Sequence, residues 1–313
     1  MINNIIIALN AVIPIFLLIA AGFVVRLQKM FTESELNKLN GFVFKLFFPF
    51  LMFFNVYSSD ISSGVSPRLV IFGVCSVFVI YAFGFAVAFI FEKTRRSRGA
   101  IIQAIYRSNY VLMGIPIVTN ICGAEGSGTA AVMAAVIVPI YNVLAVITLE
   151  VFRGGRAKPS KVISEILKNP LIIGAVFGIL FVKFNIKLPK PVLQCVSSLS
   201  SAATPLALIV LGAKFDFSKV KSCGKNMIIC TLSKLVISPA IVMSAAALLG
   251  FRGTEFVVML IASAAPCAVS SYTMAQQMDS DAELAGGCVI LTSALSVLTL
   301  FLWIVFFKHL GMF

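Results

Sequence analysis

Two proline-containing stretches of otherwise apolar sequence carry the residues best suited to chemistry. They are residues 107–116, RSNYVLMGIP, and residues 264–273, AAPCAVSSYT. Proline has no backbone N–H and clashes with the preceding helical turn, so Pro116 and Pro266 predict interruptions in two helices. The helical half that follows an interruption presents free N–H groups and a partial positive charge, an arrangement that binds anions. A lone membrane proline is better explained as a kink, but two matched stretches favour one anion site where two broken helices cross.

Side chains beside the two prolines extend this predicted site. Asn109 stands about two turns before Pro116, and a carboxamide at that depth needs a partner, so we expect it to face a ligand. Gly114 lies next to the first proline. Hydroxyl groups near the second proline could add hydrogen bonds to a bound anion, and they belong to Ser270, Ser271 and Thr273.

Basic residues within the apolar segments indicate the charge of the ligand that the predicted site binds. Arg107, Lys45 and Lys234 lie at membrane depth, whereas the acidic residues fall in loops or near the ends of apolar segments, Glu150 being the most embedded. Buried ionisable groups are costly and are candidates for function, so this interior favours an anionic over a cationic ligand. Alternatively, Lys45 and Arg107 extend to the cytoplasmic interface, and the same two interpretations apply to Lys234.

The sequence gives no indication of catalytic, metal or cofactor chemistry. The only histidine is His309, and there is neither a glycine-rich phosphate loop nor an HExxH motif. The seven cysteines form no CxxC pair and mostly lie in apolar runs, where they act as small hydrophobic residues. We therefore predict no enzyme, no metal site and no bound cofactor.

The surrounding sequence predicts a multi-pass helical membrane protein. Hydrophobic residues make up 60% of the chain, charged residues 12%, and the mean hydropathy is +1.04. Runs of about 20 apolar residues, each long enough to cross the bilayer, recur throughout. The predicted spans are 5–25, 39–57, 69–91, 100–121, 128–150, 165–184, 193–212, 226–249, 255–277 and 284–307.

The basic residues are distributed unequally between the two sides of the membrane. The connections after odd-numbered spans hold sixteen lysines and arginines, and those on the other side hold six. Because lysine and arginine favour the cytoplasmic side, both termini are predicted to lie outside the cell. The net charge of +13 is therefore explained mainly by basic residues that orient the chain in the membrane, and no nucleic-acid partner is expected.

Matching residues recur at a constant spacing and indicate two related halves, residues 1–155 and 156–313. An offset of 156 residues relates Pro14 to Pro170, Gly22 to Gly178, Pro49 to Pro205 and Asp60 to Asp216. Five spans in each half is an odd number, so the second half must be inverted in the membrane. Inverted repeats with matched broken helices are typical of secondary transporters.

The stretch 107–116 also resembles the auxin efflux carrier family, in its bacterial malate- or malonate-permease-like branch. Residues 266–272, the later 276–277 and 281–284, and the segments 169–170 and 211–213 resemble the same family. The resemblance covers the whole chain and implies a fold similar to that of sodium/proton antiporters and bile acid/sodium symporters. It implies a core of spans 3–5 and 8–10, in which helices 4 and 9 cross, and a scaffold of spans 1, 2, 6 and 7. The scaffold is expected to form a homodimer interface.

Together these observations predict a secondary active or facilitative transporter in the cell membrane. Its substrate would be a small organic anion, a mono- or dicarboxylate such as malate or malonate, moved by elevator-type alternating access. The possible coupling ions are H⁺ and Na⁺. A sodium-coupled organic anion symporter is the alternative, and a membrane sensor that binds a ligand without moving it is the alternative outside transport.

Overall fold

A computed structural model describes residues 2–58, 65–153, 159–214 and 217–313, and these residues form helices and short connections without strands. Side chains are described from residue 13 onward, apart from 124–125, 159–162, 165 and 217–223. The predicted pair Asp60 and Asp216 lies outside the described residues.

Twelve helices follow one another along the described chain. The first six are α1 (Ile2–Leu27), α2 (Glu33–Tyr57), α3 (Pro67–Phe91), α4 (Arg95–Tyr106), α5 (Ile115–Phe152) and α6 (Pro159–Lys168). The others are α7 (Pro170–Lys183), α8 (Lys190–Lys214), α9 (Phe217–Leu232 continued by Ser233–Ile237 and Ser238–Leu248), α10 (Gly253–Ala264), α11 (Ser270–Gln277) and α12 (Ala282–His309).

The helices have the length and surface of a multi-pass membrane protein. Among the described residues, six helices are long and apolar enough to cross a bilayer, and Ile13–Leu27, α7 and α10 are shorter apolar helices. Large hydrophobic side chains such as Ile71 and Phe89 on α3 and Phe177 on α7 are exposed, as expected for surfaces that face lipid. The predicted spans 4 and 9 are each divided in two. Span 5 follows the second piece of span 4 after a break at Gly123, where the backbone is not helical and φ is 69°.

Three π-helical turns lie within or directly before these helices, and a proline follows each turn two residues later. The turns are Val43–Phe47, Tyr110–Gly114 and Ser233–Ile237, and the prolines are Pro49, Pro116 and Pro239. A proline ring clashes with the carbonyl group four residues before it, and a wider turn relieves that clash.

The carbonyl group released by Pro239 finds a new donor. It belongs to Leu235, four residues earlier, and accepts a hydrogen bond of 2.9 Å from the indole Nε1 of Trp303 on α12. Because lipid offers no such donor, this bond ties the π-helical turn of α9 to the protein interior.

Glycines allow α1 to pack closely on α8 and α2 on α7. A Cβ atom at Gly22 would lie 2.0 Å from the carbonyl oxygen of Ile209, and a Cβ at Gly178 would lie 3.0 Å from that of Phe53. The two contacts are related by the offset found in the sequence, because Gly178 lies 156 positions after Gly22 and Ile209 lies 156 positions after Phe53. At a further crossing of α1 and α8, a Cβ at Gly212 would lie 2.0 Å from the Ile19 oxygen. Small residues at such crossings let membrane helices approach each other.

We expect Gly212→Ala to destabilise the protein by about 1–3 kcal/mol, because the added methyl group would collide with the backbone of α1. Thermal unfolding of the purified protein in detergent measures the loss. Gly224→Ala is the matched control, because a Cβ at that helical position meets no atom within 4 Å. Equal unfolding temperatures of the two variants would contradict the close contact between α1 and α8.

Candidate functional site

The two interrupted helices touch where their backbones are unwound. α4 ends at Tyr106 and α10 at Ala264, and each is followed by extended backbone. The Asn109 N–H donates to the Pro266 carbonyl at 2.8 Å, and the Ser108 hydroxyl donates to the Ala265 carbonyl at 3.2 Å. The two unwound stretches therefore provide hydrogen-bond partners for each other.

A third helix supports this crossing. The Cys267 N–H, within the second unwound stretch, donates to the Thr292 hydroxyl of α12 at 3.0 Å. Thr292 in turn donates to the Cys288 carbonyl of its own helix at 2.6 Å. The second stretch is thus held from both sides, although it lacks helical hydrogen bonds.

The first interruption lies at residues 107–109, and the prediction that Pro116 would cause it is wrong. Pro116 lies after the interruption, where the π-helical turn Tyr110–Gly114 leads directly into α5 and relieves the clash of the proline ring. Pro266 lies within the second interruption, as predicted.

Arg107 lies at the centre of the crossing and is 2% exposed, so it does not extend to the membrane surface. Its Nη1 donates to Gln103 Oε1 at 2.8 Å and approaches the sulfur of Met274 at 3.0 Å. Its Nη2 donates to Asn142 Oδ1 and to the Ser270 hydroxyl, each at 2.7 Å. These partners are all neutral, so the described contacts leave the positive charge without a counter-charge.

A cavity of about 90 Å³ borders this arginine, here called the crossover cavity. The residues that begin the second halves of both broken helices line it: Tyr110, Val111 and Leu112 on one side, and Ala268, Val269 and Ser270 on the other. The amino end of a helix carries partial positive charge, so both ends favour a negatively charged ligand in this cavity.

Three buried polar atoms of residues that line this cavity have no partner among the described residues. They are the Nδ2 of Asn109, the Nε of Arg107 and the hydroxyl of Tyr110. A buried donor without an acceptor costs about 1–3 kcal/mol. An oxygen-bearing ligand in the crossover cavity would relieve that cost.

A larger cavity of about 540 Å³ adjoins the first and is called the outer cavity. Five residues line both cavities, and they are Leu51, Asn55, Val111, Leu112 and Thr204. The outer cavity separates α5 from α1, α2 and α8, and continues along α5 past Pro116 to Asn120. It lies on the side of the crossover away from the basic connections that follow α1 and α3.

Contacts on the opposite side join α11 to α2 and α8. The Nε2 of Gln276 and the Nζ of Lys214 both donate to the Oδ1 of Asn37, at 2.7 and 2.5 Å. The Nδ2 of Asn40 donates to the Thr273 carbonyl at 3.5 Å. These bonds close the protein on the side of the crossover that carries the basic connections, whereas the outer cavity lies on the opposite side.

The structure brings together only part of the predicted site. Arg107, Asn109 and Ser270 line the crossover cavity, Pro116 lines the outer cavity, and Pro266 supplies the carbonyl that holds Asn109. The other three residues, Gly114, Ser271 and Thr273, are buried but line neither cavity.

Several polar residues that line these cavities were not predicted to belong to the site. They include Asn55, Tyr141, Asn142 and Thr204. Asn142 is a carboxamide inside an apolar span and carries the same signal as Asn109. Thr204 lies near Ser200 and Ser201 on α8, and only the tertiary structure shows that these three residues line a cavity.

We expect Arg107→Met to destabilise the protein by about 3 kcal/mol, because it leaves the acceptors on Gln103, Asn142 and Ser270 buried without their donor. Thermal unfolding in detergent checks this. Lys45→Met, which removes an exposed basic group of α2, should change the unfolding temperature little. If Arg107→Met unfolds at the same temperature as the wild type, the result would contradict the hydrogen-bond network described for Arg107.

Comparison with known proteins gives one family and several distant relatives. The family model described as "Membrane transport protein" matches residues 7–304. An uncharacterized transporter of Methanocaldococcus jannaschii is 25% identical over 310 residues, covering 95% of this chain and 98% of the relative. Another, from Methanothermobacter thermautotrophicus, is 24% identical and covers 94% and 96%. Auxin efflux carrier component 8 of Arabidopsis thaliana is 22% identical over 342 residues, covering 90% and 92%.

Proposed function

The chain belongs to the family of membrane transport proteins, and from this premise we propose that it carries a small organic anion across the cell membrane. Members of this family are transporters and not enzymes, as the sequence predicted. The alternative of a sensor that moves nothing is therefore set aside.

The observation that carries the proposal is the electrostatic character of the crossover cavity. Among the described residues that line either cavity, Arg107 is the only one with a charged side chain, and none is an aspartate or glutamate. Two helix amino ends and the unpaired Nδ2 of Asn109 face the same space. Each of these features favours negative charge, and together they suit a carboxylate.

The size of the two cavities supports a mono- or dicarboxylate, such as malonate or malate. A carboxylate group would bind in the crossover cavity, and the remainder of the anion would extend into the outer cavity past Asn55 and Thr204. The plant relatives are named as auxin efflux carriers, which agrees with an organic anion as the class of substrate.

Transport would proceed by alternating access between two inverted halves, residues 1–155 and 156–313. The matching contacts of Gly22 with Ile209 and of Gly178 with Phe53, related by the sequence offset, support this symmetry. In this proposal α3–α5 and α9–α12 form a core that moves, elevator-like, against a scaffold of α1, α2, α7 and α8. The scaffold would join two copies of the chain, and both termini would lie outside the cell.

The described conformation corresponds to one end of that movement. The outer cavity gives access to the crossover from the side away from the basic connections, and the bonds of Asn37 close the other side. By the distribution of lysine and arginine, this conformation is the one that faces outward.

We expect malonate or malate to raise the unfolding temperature of the purified protein, because a ligand that binds only the folded state stabilises it. A panel of mono- and dicarboxylates, measured by thermal shift, identifies the best substrate. Asn109→Ala should lose that stabilisation and the uptake of the radiolabelled anion into liposomes, while still folding.

Asn226→Ala is the matched control, because it removes a carboxamide that bonds Glu92 and lines neither cavity. Wild-type uptake by Asn109→Ala would refute the assignment of Asn109. Uptake that requires sodium would favour the sodium-coupled alternative.

We expect a covalent link between residues 37 and 276 to stop transport, because the bond between Asn37 and Gln276 joins the proposed scaffold to the proposed core. The pair Asn37→Cys and Gln276→Cys would be treated with a short bifunctional thiol reagent, in a variant that lacks the exposed Cys75 and Cys195. Uptake by the linked pair should fall to background and recover on reduction, whereas either single variant should be unaffected. Full activity of the linked protein would exclude movement at this contact.

A further inference from the structure

Lys234 is a buried amine that the proposed anion site does not use. It lies in the π-helical turn of α9, is 1% exposed, and forms no ion pair or hydrogen bond among the described contacts. A lysine without a counter-charge is expensive to bury, and such groups are candidates for function. Unlike arginine, a buried lysine can give up its proton.

Lys234 lines a small cavity, and the size of this cavity limits what can bind there. Its volume is about 20 Å³, enough for one water molecule and too small for an organic anion. Its polar lining comes from hydroxyl groups, those of Ser76, Ser238, Ser263, Tyr106 and Tyr141. The Ser238 hydroxyl has no partner among the described residues and is free to accept a hydrogen bond from an ammonium group or a water.

The groups that face Lys234 from the packed helices are neutral. They are the phenols of Tyr106 on α4 and Tyr141 on α5, and the thiol of Cys267 in the second unwound stretch. α3 and α10 contribute serines and apolar residues to the lining of the cavity, and α12 contributes the Trp303 indole to the turn. The described lining holds no carboxylate that could hold the amine permanently in its charged form.

We propose that Lys234 is the proton-binding site that couples anion transport to the movement of H⁺. A proton from water adds to the lone pair of Nζ when the anion is bound, and the same proton returns to water on the other side of the membrane. This inference deepens the proposed function and depends on it for the identity of the anion.

The two sites are neighbours because they share Tyr141. Tyr141 lines both the crossover cavity and the cavity of Lys234. The hydroxyl of Tyr106 donates to the Tyr141 carbonyl at 2.9 Å, and Arg107, next in sequence, faces the crossover cavity. One tyrosine therefore separates an anion in the crossover cavity from the amine.

This arrangement gives the coupling a direction. An anion next to Arg107 adds negative charge near Lys234 and favours the protonated amine. By linkage, protonation of Lys234 must strengthen binding of the anion by the same factor. Anion and proton would then move together in the same direction.

The first experiment requires no substrate. The unfolding temperatures of the wild type and of Lys234→Met are measured in detergent over the range of pH in which both remain folded. If the amine exchanges its proton in that range, the difference between the two proteins changes with pH. Methionine removes the charge with little change in the size of the side chain, so the variant should fold, and a difference that is independent of pH overturns the proposal.

Lys45→Met is the matched control. Lys45 also lies in a π-helical turn that precedes a proline, but its side chain is exposed. Its variant should give no pH-dependent difference comparable with that of Lys234→Met.

The second experiment measures coupling with malonate as the probe. Liposomes that contain the protein and a fluorescent pH indicator are given external malonate, and acidification of the interior is followed. The wild type should acidify the interior during uptake. Lys234→Met and Lys234→Arg should still exchange radiolabelled malonate between the two sides, but with at least a tenfold loss of acidification.

The outcomes separate the two proposals. Acidification by Lys234→Met equal to that of the wild type overturns the role of Lys234 and leaves anion transport intact. If the wild type transports neither malonate nor any other carboxylate of the panel, the proposed function fails. The pH-dependent stability difference then decides alone whether Lys234 binds a proton.

Discussion

One constraint dominates this molecule: backbone polar groups at membrane depth must find partners within the protein. The hydrogen bond of 2.8 Å from the Asn109 N–H to the Pro266 carbonyl meets that constraint at the point where two helices are unwound. Because each unwound stretch satisfies the other, neither can be rearranged alone. The rest of the site follows from this bond, since it brings the amino ends of two half-helices and the Arg107 guanidinium to one cavity.

The same requirement explains the three π-helical turns. Pro49, Pro116 and Pro239 each follow such a turn, so a proline here widens a helix without breaking it. The true interruptions coincide instead with polar residues that form bonds outside their own helix. At Arg107 these bonds reach α5 and α11, and at Cys267 they reach α12. Side-chain partners, more than proline alone, determine where the backbone leaves the helix.

Much of the architecture could be predicted from the sequence, because long apolar runs and membrane-depth polar residues are local signals. The division of spans 4 and 9, the burial of Arg107 as one of two alternatives, and the place of Asn109 beside a cavity agree with such signals. The contributions of Asn55, Tyr141, Asn142 and Thr204 were not, because they depend on which faces of α2, α5 and α8 meet. The first interruption was misplaced because Pro116 follows a π-helical turn that accommodates it without breaking the helix.

The bond between Trp303 and the Leu235 carbonyl has a practical consequence. Trp303 is the single tryptophan of the chain, and it donates to the residue that follows Lys234. Indole emission is sensitive to the hydrogen bonding and polarity of its surroundings, so the native protein contains a built-in fluorophore at this turn. Its spectrum, free of any other tryptophan signal, should report changes in the environment of α9 without the attachment of a dye.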